Sequence, residues 1–311
     1  MPSTWGHLKV AERTELTEYL NLWVETVALS SESRHTPVAY RKVLRPFIDS
    51  LQQQGVHTVQ AIQPVHIRAY LLKRKAQGIS QYTLAKDYRH IHAFLNWLTK
   101  EGFLETNPCA KVQRPKAPPK AKPIPTAEEL EKLLRACEGT HWLRKRDRAL
   151  LMVALDTGLR ASELLSLTVA DAQQECLTVR GKGGKQRAVF LSPETRLALR
   201  KYLQACPHAL SENSLLWWGR HGALQLSGLC EAVERIGKRA GVKLSPHALR
   251  RCFAVWCLRN GLDLERLRLM MGHSSYTVLQ HYLPLAQADL QQAHKEHSPV
   301  NALLQRGRGR R

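Results

Sequence analysis

A stretch near the middle of the chain limits what the rest can become. Residues 106–125, TNPCAKVQRPKAPPKAKPIP, hold six prolines and five basic residues and no acid. Proline lacks the backbone donor that a helix interior needs, so this density excludes a packed helix and favours an extended tether. The 311 residues therefore read as two domains, each long enough to bury its own core. The basic residues of the tether suit it to lie along a phosphate backbone.

The charge points the same way. Against 26 Asp+Glu stand 47 Lys+Arg, a formal charge of +21. Such a surplus implies an anionic partner, of which nucleic acid is the commonest; a basic surface that only aids solubility is the plainer alternative. The seven cysteines (109, 137, 176, 206, 230, 252 and 257) are odd in number and form no CxxC. That pattern argues against a disulfide framework or a zinc knuckle and fits reduced thiols in cytosol. The first residues lack the apolar core of a signal peptide, and no apolar run approaches the roughly 20 residues that span a bilayer. A soluble cytoplasmic protein without membrane contact is the expectation.

Before the tether the pattern is helical. Thr36-Pro37 reads as a helix start, with Thr as N-cap and Pro at the first helical position. Val43, Leu44, Phe47, Ile48 and Leu51 follow at helical spacing, and Gly55 ends the run. A second helix covers 65–76. Ser80 caps a third, whose one face carries Leu84, Tyr88, Ile91, Leu95 and Leu98. After the tether, Thr126 and Glu129 form a capping-box pattern, and 150–155 extends a buried helix. Residues 177–180 and 187–191 read as strands around Gly181-Lys-Gly-Gly184, a hairpin. Ser192-Pro193 and Ser245-Pro246 start helices, the second ending near Gly261. Asp263 caps a short helix ending at Gly272. A last helical stretch carries Tyr282, with Pro284 interrupting it, and the chain closes on a basic tail.

Four segments carry chemistry, and each alone is weak. In Thr157-Gly-Leu-Arg160-Ala-Ser-Glu163, Gly158 breaks a helix and sets an arginine at a turn, where Glu163 could orient it by a bidentate pair. The hairpin Val179-Arg-Gly-Lys182-Gly-Gly-Lys185-Gln-Arg187 can bring the lysines at its glycine-rich tip close to a phosphate backbone. His247-Ala-Leu-Arg250 places imidazole and guanidinium on one face at a helix N-terminus, where the dipole favours an anion. His273 follows a helix-ending glycine, and Tyr282 follows nine residues later (282 − 273). Together they describe a phosphodiester-transfer site that needs no metal. Arginines grip the non-bridging oxygens, tyrosine attacks, and histidine and lysine move protons. No Asp/Glu cluster with metal-site spacing accompanies them, which argues against a two-metal nuclease.

The order Arg160, Lys182, His247-x-x-Arg250, His273, Tyr282 resembles the tyrosine recombinase family, also called the phage integrase family. Gly-Leu-Arg-x-Ser-Glu-Leu, the Gly-Lys-Gly hairpin, His-x-Leu-Arg and Met-Gly-His-Ser-Ser followed by Tyr match it in order and spacing. The resemblance implies a mainly α fold with a small β-hairpin in two domains. Residues 10–105 would form a helical SAM-like core-binding domain, 106–125 the basic linker, 126–299 the catalytic domain and 300–311 a basic tail.

It also implies roles. Tyr282 would form a 3′-phosphotyrosine, Arg160 and Arg250 would hold the scissile phosphate, and Lys182 would protonate the 5′-oxygen, with Lys185 the next candidate. His247 would act as base or acid at the tyrosine, His273 would bond the phosphate, and Glu163 would support Arg160. No cofactor or metal is required. The partners would be double-stranded DNA with specific sites and further copies of the chain in a tetrameric synapse, with the protein held at the nucleoid through DNA. Arg251 and Cys252 depart from the histidine and small polar residue common there. The lack of an extra N-terminal domain favours a simple, Xer-like recombinase. A type IB topoisomerase activity and a DNA-binding protein with an idle site are the alternatives.

Overall fold

The computed structural model describes residues 15–31, 35–117, 123–181, 184, 186–273, 275–276, 282, 294, 298 and 300. The chain divides into two compact units, Met1–Pro119 and Lys120–Arg311. The described part of the first is helical. It contains α1 (Leu16–Ser30), α2 (His35–Gln53), α3 (Pro64–Ala76) and α4 (Gln81–Lys100). Ser80 caps α4 by accepting from the Thr83 N–H, which satisfies one of the donors that a helix start leaves open. The apolar face of α4 then packs with Leu44, Phe47 and Ile48 of α2 and with Leu16 and Leu20 of α1, all nearly or wholly buried. Each such side chain contributes about 1.5–3 kcal/mol.

Two expectations for this unit change. Helix α2 starts at His35, so Thr36 is not its cap and Pro37 lies within the first turn. Proline is tolerated there because the first N–H groups of a helix have no intrahelical partner. Pro46 sits inside α2 without ending it; the buried Leu44, Phe47 and Ile48 around it outweigh a local penalty of about 3 kcal/mol. The extended tether also begins later than residue 106. Residues Pro108–Lys111 form a 3₁₀ turn capped by Asn107. The Tyr88 hydroxyl lies 3.1 Å from the Cys109 carbonyl and 3.2 Å from that of Val112. Cys109 and Val112 are buried, so these apolar members of a basic stretch belong to the helical core.

The second unit comprises α5 (Ala127–Arg135), α6 (Trp142–Thr157), α7 (Ala161–Leu165), β1 (Cys176–Arg180), β2 (Gln186–Phe190), α8 (Pro193–Ala205), β3 (Trp218–Gly219), β4 (Gly222–Ala223), α9 (Leu226–Ala240), α10 (Pro246–Arg259) and α11 (Leu264–Met271). The Thr126–Glu129 capping box closes in both directions. Ser192, Ser245 and Asp263 cap α8, α10 and α11. Strands β1 and β2 pair antiparallel, with Val179 opposite Arg187 and Arg180 opposite Gln186. Helix α6 is the central member, packed against α8 and α10. Gly158 ends it at φ +60, and a Cβ there would meet the Phe253 ring at 2.2 Å. Only glycine allows α6 to stop so close to α10. The buried Trp217 donates its indole N–H to the Leu164 carbonyl at 2.8 Å, anchoring α7 beside that turn. The last helical stretch expected around Tyr282 and the basic tail lie outside the described residues, Tyr282 and Val300 apart. Among the described residues no helix is long and apolar enough to cross a membrane.

Candidate active site

The turn that follows Gly158 sets Arg160 at the start of α7. Its backbone N–H donates to one oxygen of Glu163 at 2.8 Å and its side chain to the other at 2.8 Å. A second guanidinium nitrogen reaches the Gly272 carbonyl at 3.3 Å. The expected bidentate pair forms elsewhere. Arg187 of β2 takes both Glu163 oxygens in a fork, at 2.9 and 2.7 Å, and its Nε donates to the Met270 carbonyl at 2.8 Å. The Arg160 side chain must also face outward, so one contact remains for Glu163, while Arg187 approaches square-on from the strand. Burial pushes the Glu163 carboxyl up, but hydrogen bonds from Arg187 and Arg160 overcome it and hold it down at about 2. The carboxylate is charged at all ordinary pH.

Arg250 lies deeper, 3 % exposed. It donates to the carbonyls of Gly158 and Met271 and lies 2.8 Å from His273 Nε2. Arginine has only donors, so Nε2 accepts and the ring proton sits on Nδ1. That Nδ1 is buried and has no partner among the described residues. Burial, then the charges of Arg250 and Arg160, depress the imidazole to about 4, so the ring is neutral at pH 7. Burial also lowers Arg250, with Arg160 adding to the effect, to about 10; it keeps its charge. Tyr282 is 4 % exposed and packs with Phe253, Ala254 and Met271. Burial raises its phenol, while Arg250, Arg251 and Arg160 pull it back, so the phenol is protonated at neutral pH and needs a base to attack.

Arg160, His247, Arg250, His273 and Tyr282 all line one open cleft of about 950 Å³. Lys182 lies outside the described residues, as does Lys185, but Gly181 and Gln186 on either side of them border the same cleft. Tyr276 is instead held by Glu265, to which its hydroxyl donates. Two charged lining residues, Arg187 and Arg268, have no role in the expected site. Arg187 had a legible signal. It shares a strand face with the buried Val189, and an arginine at an inward position needs a carboxylate. Arg268 forks onto Glu265 and donates to the His273 carbonyl at 2.9 Å. Four arginines and two glutamates leave this wall two charges positive (4 − 2), suited to an anion.

Residues 125–288 match the model of the phage integrase family, and residues 20–102 match its N-terminal SAM-like domain. The tyrosine recombinase XerC of Oceanobacillus iheyensis is 30% identical over 92% of this chain and 97% of its own length. That of Chromobacterium violaceum is 33% identical over 87% of this chain and 91% of its own. The chain belongs to the phage integrase family. It is a tyrosine-type site-specific DNA recombinase, and relatives of this kind do not favour the strand-relaxing or idle-site alternatives. A solved relative, XerH bound to a palindromic difH substrate after cleavage, superposes with a TM-score of 0.70 at 23% identity, covering 89% of this chain and 83% of that one. A lambda integrase dimer on a core site gives 0.69 at 19%, covering 85% and 97%. At these identities the likeness is one of fold.

The two departures from the family pattern lie behind the cleft of this recombinase. Arg251 reaches the Pro123 carbonyl at 3.4 Å, and the Cys252 thiol the Pro125 carbonyl at 3.9 Å. Both tie the segment that enters α5 to α10. Ile124 between them packs against the Tyr282 cluster.

Proposed function

We propose that this recombinase cleaves and rejoins double-stranded DNA at specific sites with Tyr282 as nucleophile. One observation carries the assignment: five side chains from distant parts of the sequence line a single positive cleft. Arg160 and Arg250 would grip the non-bridging oxygens of the scissile phosphate and balance the charge that builds in the transition state. The buried Nδ1–H of His273, otherwise unpartnered among the described residues, fits a phosphate oxygen as acceptor. His247 would take the phenol proton as Tyr282 Oη bonds to phosphorus. The bond to the 5′-oxygen then breaks, and that oxygen takes its proton from Lys182. Glu163 holds Arg160 in place without touching DNA. One phosphodiester is exchanged for another, so no nucleotide energy source is needed, and the arginines supply the charge that a metal would.

Around this chemistry we read residues 10–105 as a core-binding domain and 126–299 as the catalytic domain, each binding the duplex. The basic linker would lie along the backbone, and four copies would assemble on two sites. A DNA partner accords with the solved relatives bound to DNA, and a protein working on the chromosome would reside in the cytoplasm at the nucleoid. The test is covalent capture. A nicked duplex library with randomised arms is incubated with the full chain, and DNA that stays attached after denaturation is recovered and sequenced. Tyr282→Phe should bind the recovered duplex yet form no adduct, because only the attacking oxygen is lost. An adduct with this variant would sink the assignment.

A further inference from the structure

We infer that Arg187 is a positioning residue that fixes the β1–β2 hairpin, and with it the tip carrying Lys182, against the phosphate clamp. The inference rests on the reading of Lys182 as proton donor to the leaving oxygen. Arg187 stands next to the first paired residue of β2, since Gln186 opposite Arg180 is where the ladder ends on the side of the tip. Its guanidinium bridges two segments on the floor of the cleft. The fork onto Glu163 joins it to α7, and the bond to the Met270 carbonyl joins it to the end of α11, just before His273. The side chain is only 8 % exposed, so it acts through its neighbours rather than as an open phosphate ligand. Gly272 leaves room for this contact: a Cβ there would lie 3.1 Å from Arg187 Cδ.

Leu177, Val179 and Val189 bury one face of the hairpin in the core, which holds its strands. Arg187 lies nearer the tip than Val189 and adds a directional contact there: its fork on Glu163, which Arg160 shares, ties the tip end of the ladder to the arginine clamp. A lysine cannot replace that planar fork. A proton donor must lie within hydrogen-bond reach of the oxygen it serves, and misplacement by about 1 Å can lower a rate by about 10²-fold.

Sulfur separates this role from a merely structural one. If the bridging 5′-oxygen of the captured duplex is replaced by sulfur, the leaving group departs as a thiolate. Thiols ionise near pH 8.5, so the departing sulfur needs no proton donor. Rates of covalent adduct formation are compared on the oxygen and sulfur duplexes for the full-length chain and for Lys182→Ala, Arg187→Lys and Arg187→Met. On oxygen all three variants should be slower by about 10²-fold or more, with DNA affinity unchanged. On sulfur all three should return close to the wild-type rate. If Lys182→Ala recovers on sulfur and the Arg187 variants do not, Arg187 does not act through the hairpin. If Lys182→Ala itself fails to recover, the proton-donor reading falls and takes the inference with it. Wild-type rates for the Arg187 variants on oxygen would also overturn it. Should Arg187→Met melt, Arg187→Lys carries the test, because it keeps a charge beside Glu163.

Discussion

The catalytic unit contains the same electrostatic device twice. In one place Glu163 is shared by Arg187 and Arg160, with Arg250 3.9 Å away. In the other Asp147 is shared by Arg146 and Arg239, at 2.6 and 2.9 Å. Both carboxylates are buried and both have one arginine buried with them. They differ in where the remaining donors go. Arg146 turns its other nitrogen to the Trp218 carbonyl, closing the network on the core. Arg160 is 35 % exposed on a cleft wall, beside a histidine with an orphaned nitrogen. A buried ion pair is by itself weak evidence for function or for stability. Donors that face a cleft without a protein acceptor are what separate a site from a strut.

The outer arginines, Arg160 and Arg239, test that distinction most strongly. Arg160→Ala should slow covalent cleavage by about 10²–10³-fold, the size of losing one oxyanion donor, while the melting temperature moves little. Arg239→Ala should do the reverse. It removes a charge-assisted bond worth about 2 kcal/mol and leaves the cleavage rate of the folded protein unchanged. Melting curves and single-turnover adduct formation on both variants check it. A slow Arg239→Ala or a fast Arg160→Ala would erase the contrast between the two networks.

That contrast was only half legible in the sequence. Arg160, Arg250, His273 and Tyr282 stood out because short motifs surround them. The caps at Ser80, Thr126, Ser192 and Asp263 stood out because a cap bond joins residues three apart. Arg187 showed only its inward position on β2, because its partner Glu163 lies 24 residues away and only the strand register brings them together. The Asp147 network was silent for the same reason: Arg239 comes from α9, 92 residues on. Helix α1 and the short β3–β4 pair carried no punctuation as strong as Ser-Pro, and α9, although Gly241 stops it, has no side-chain cap at its start. The late start of the tether was hidden too, since Cys109 and Val112 look like linker residues until Tyr88 binds their carbonyls.

Acid should separate the two regions next, through His273. Its folded pKa of about 4 lies below the ordinary value near 6.5. The unfolded chain therefore binds the extra proton between those values, and stability is complete above pH 6.5 and lost as pH falls towards 4. The full difference amounts to about 3 kcal/mol. Denaturant midpoints from pH 7 to 4 should fall more for wild type than for His273→Gln. Arg239→Ala should keep the wild-type slope, because among the described residues no histidine is joined to the Asp147 network. Parallel curves for wild type and His273→Gln would mean that the ring is not held neutral in the cleft.

The smallest expected effect is that of a chelator. A metal in a phosphoryl-transfer site neutralises charge on the non-bridging oxygens and activates the nucleophile. On the proposed reading the first task falls to the guanidinium charges of Arg160 and Arg250. The second would fall to a phenol, an oxygen nucleophile already attached to the protein, with His247 lining the same cleft to take its proton. Excess EDTA should therefore leave the rate of adduct formation on the captured duplex unchanged, and added magnesium should not raise it in Arg160→Ala. A rate lost in EDTA and restored by magnesium would assign the charge balance to a bound cation. The cleft-facing donors of Arg160 would then be no more functional than the satisfied donors of Arg146.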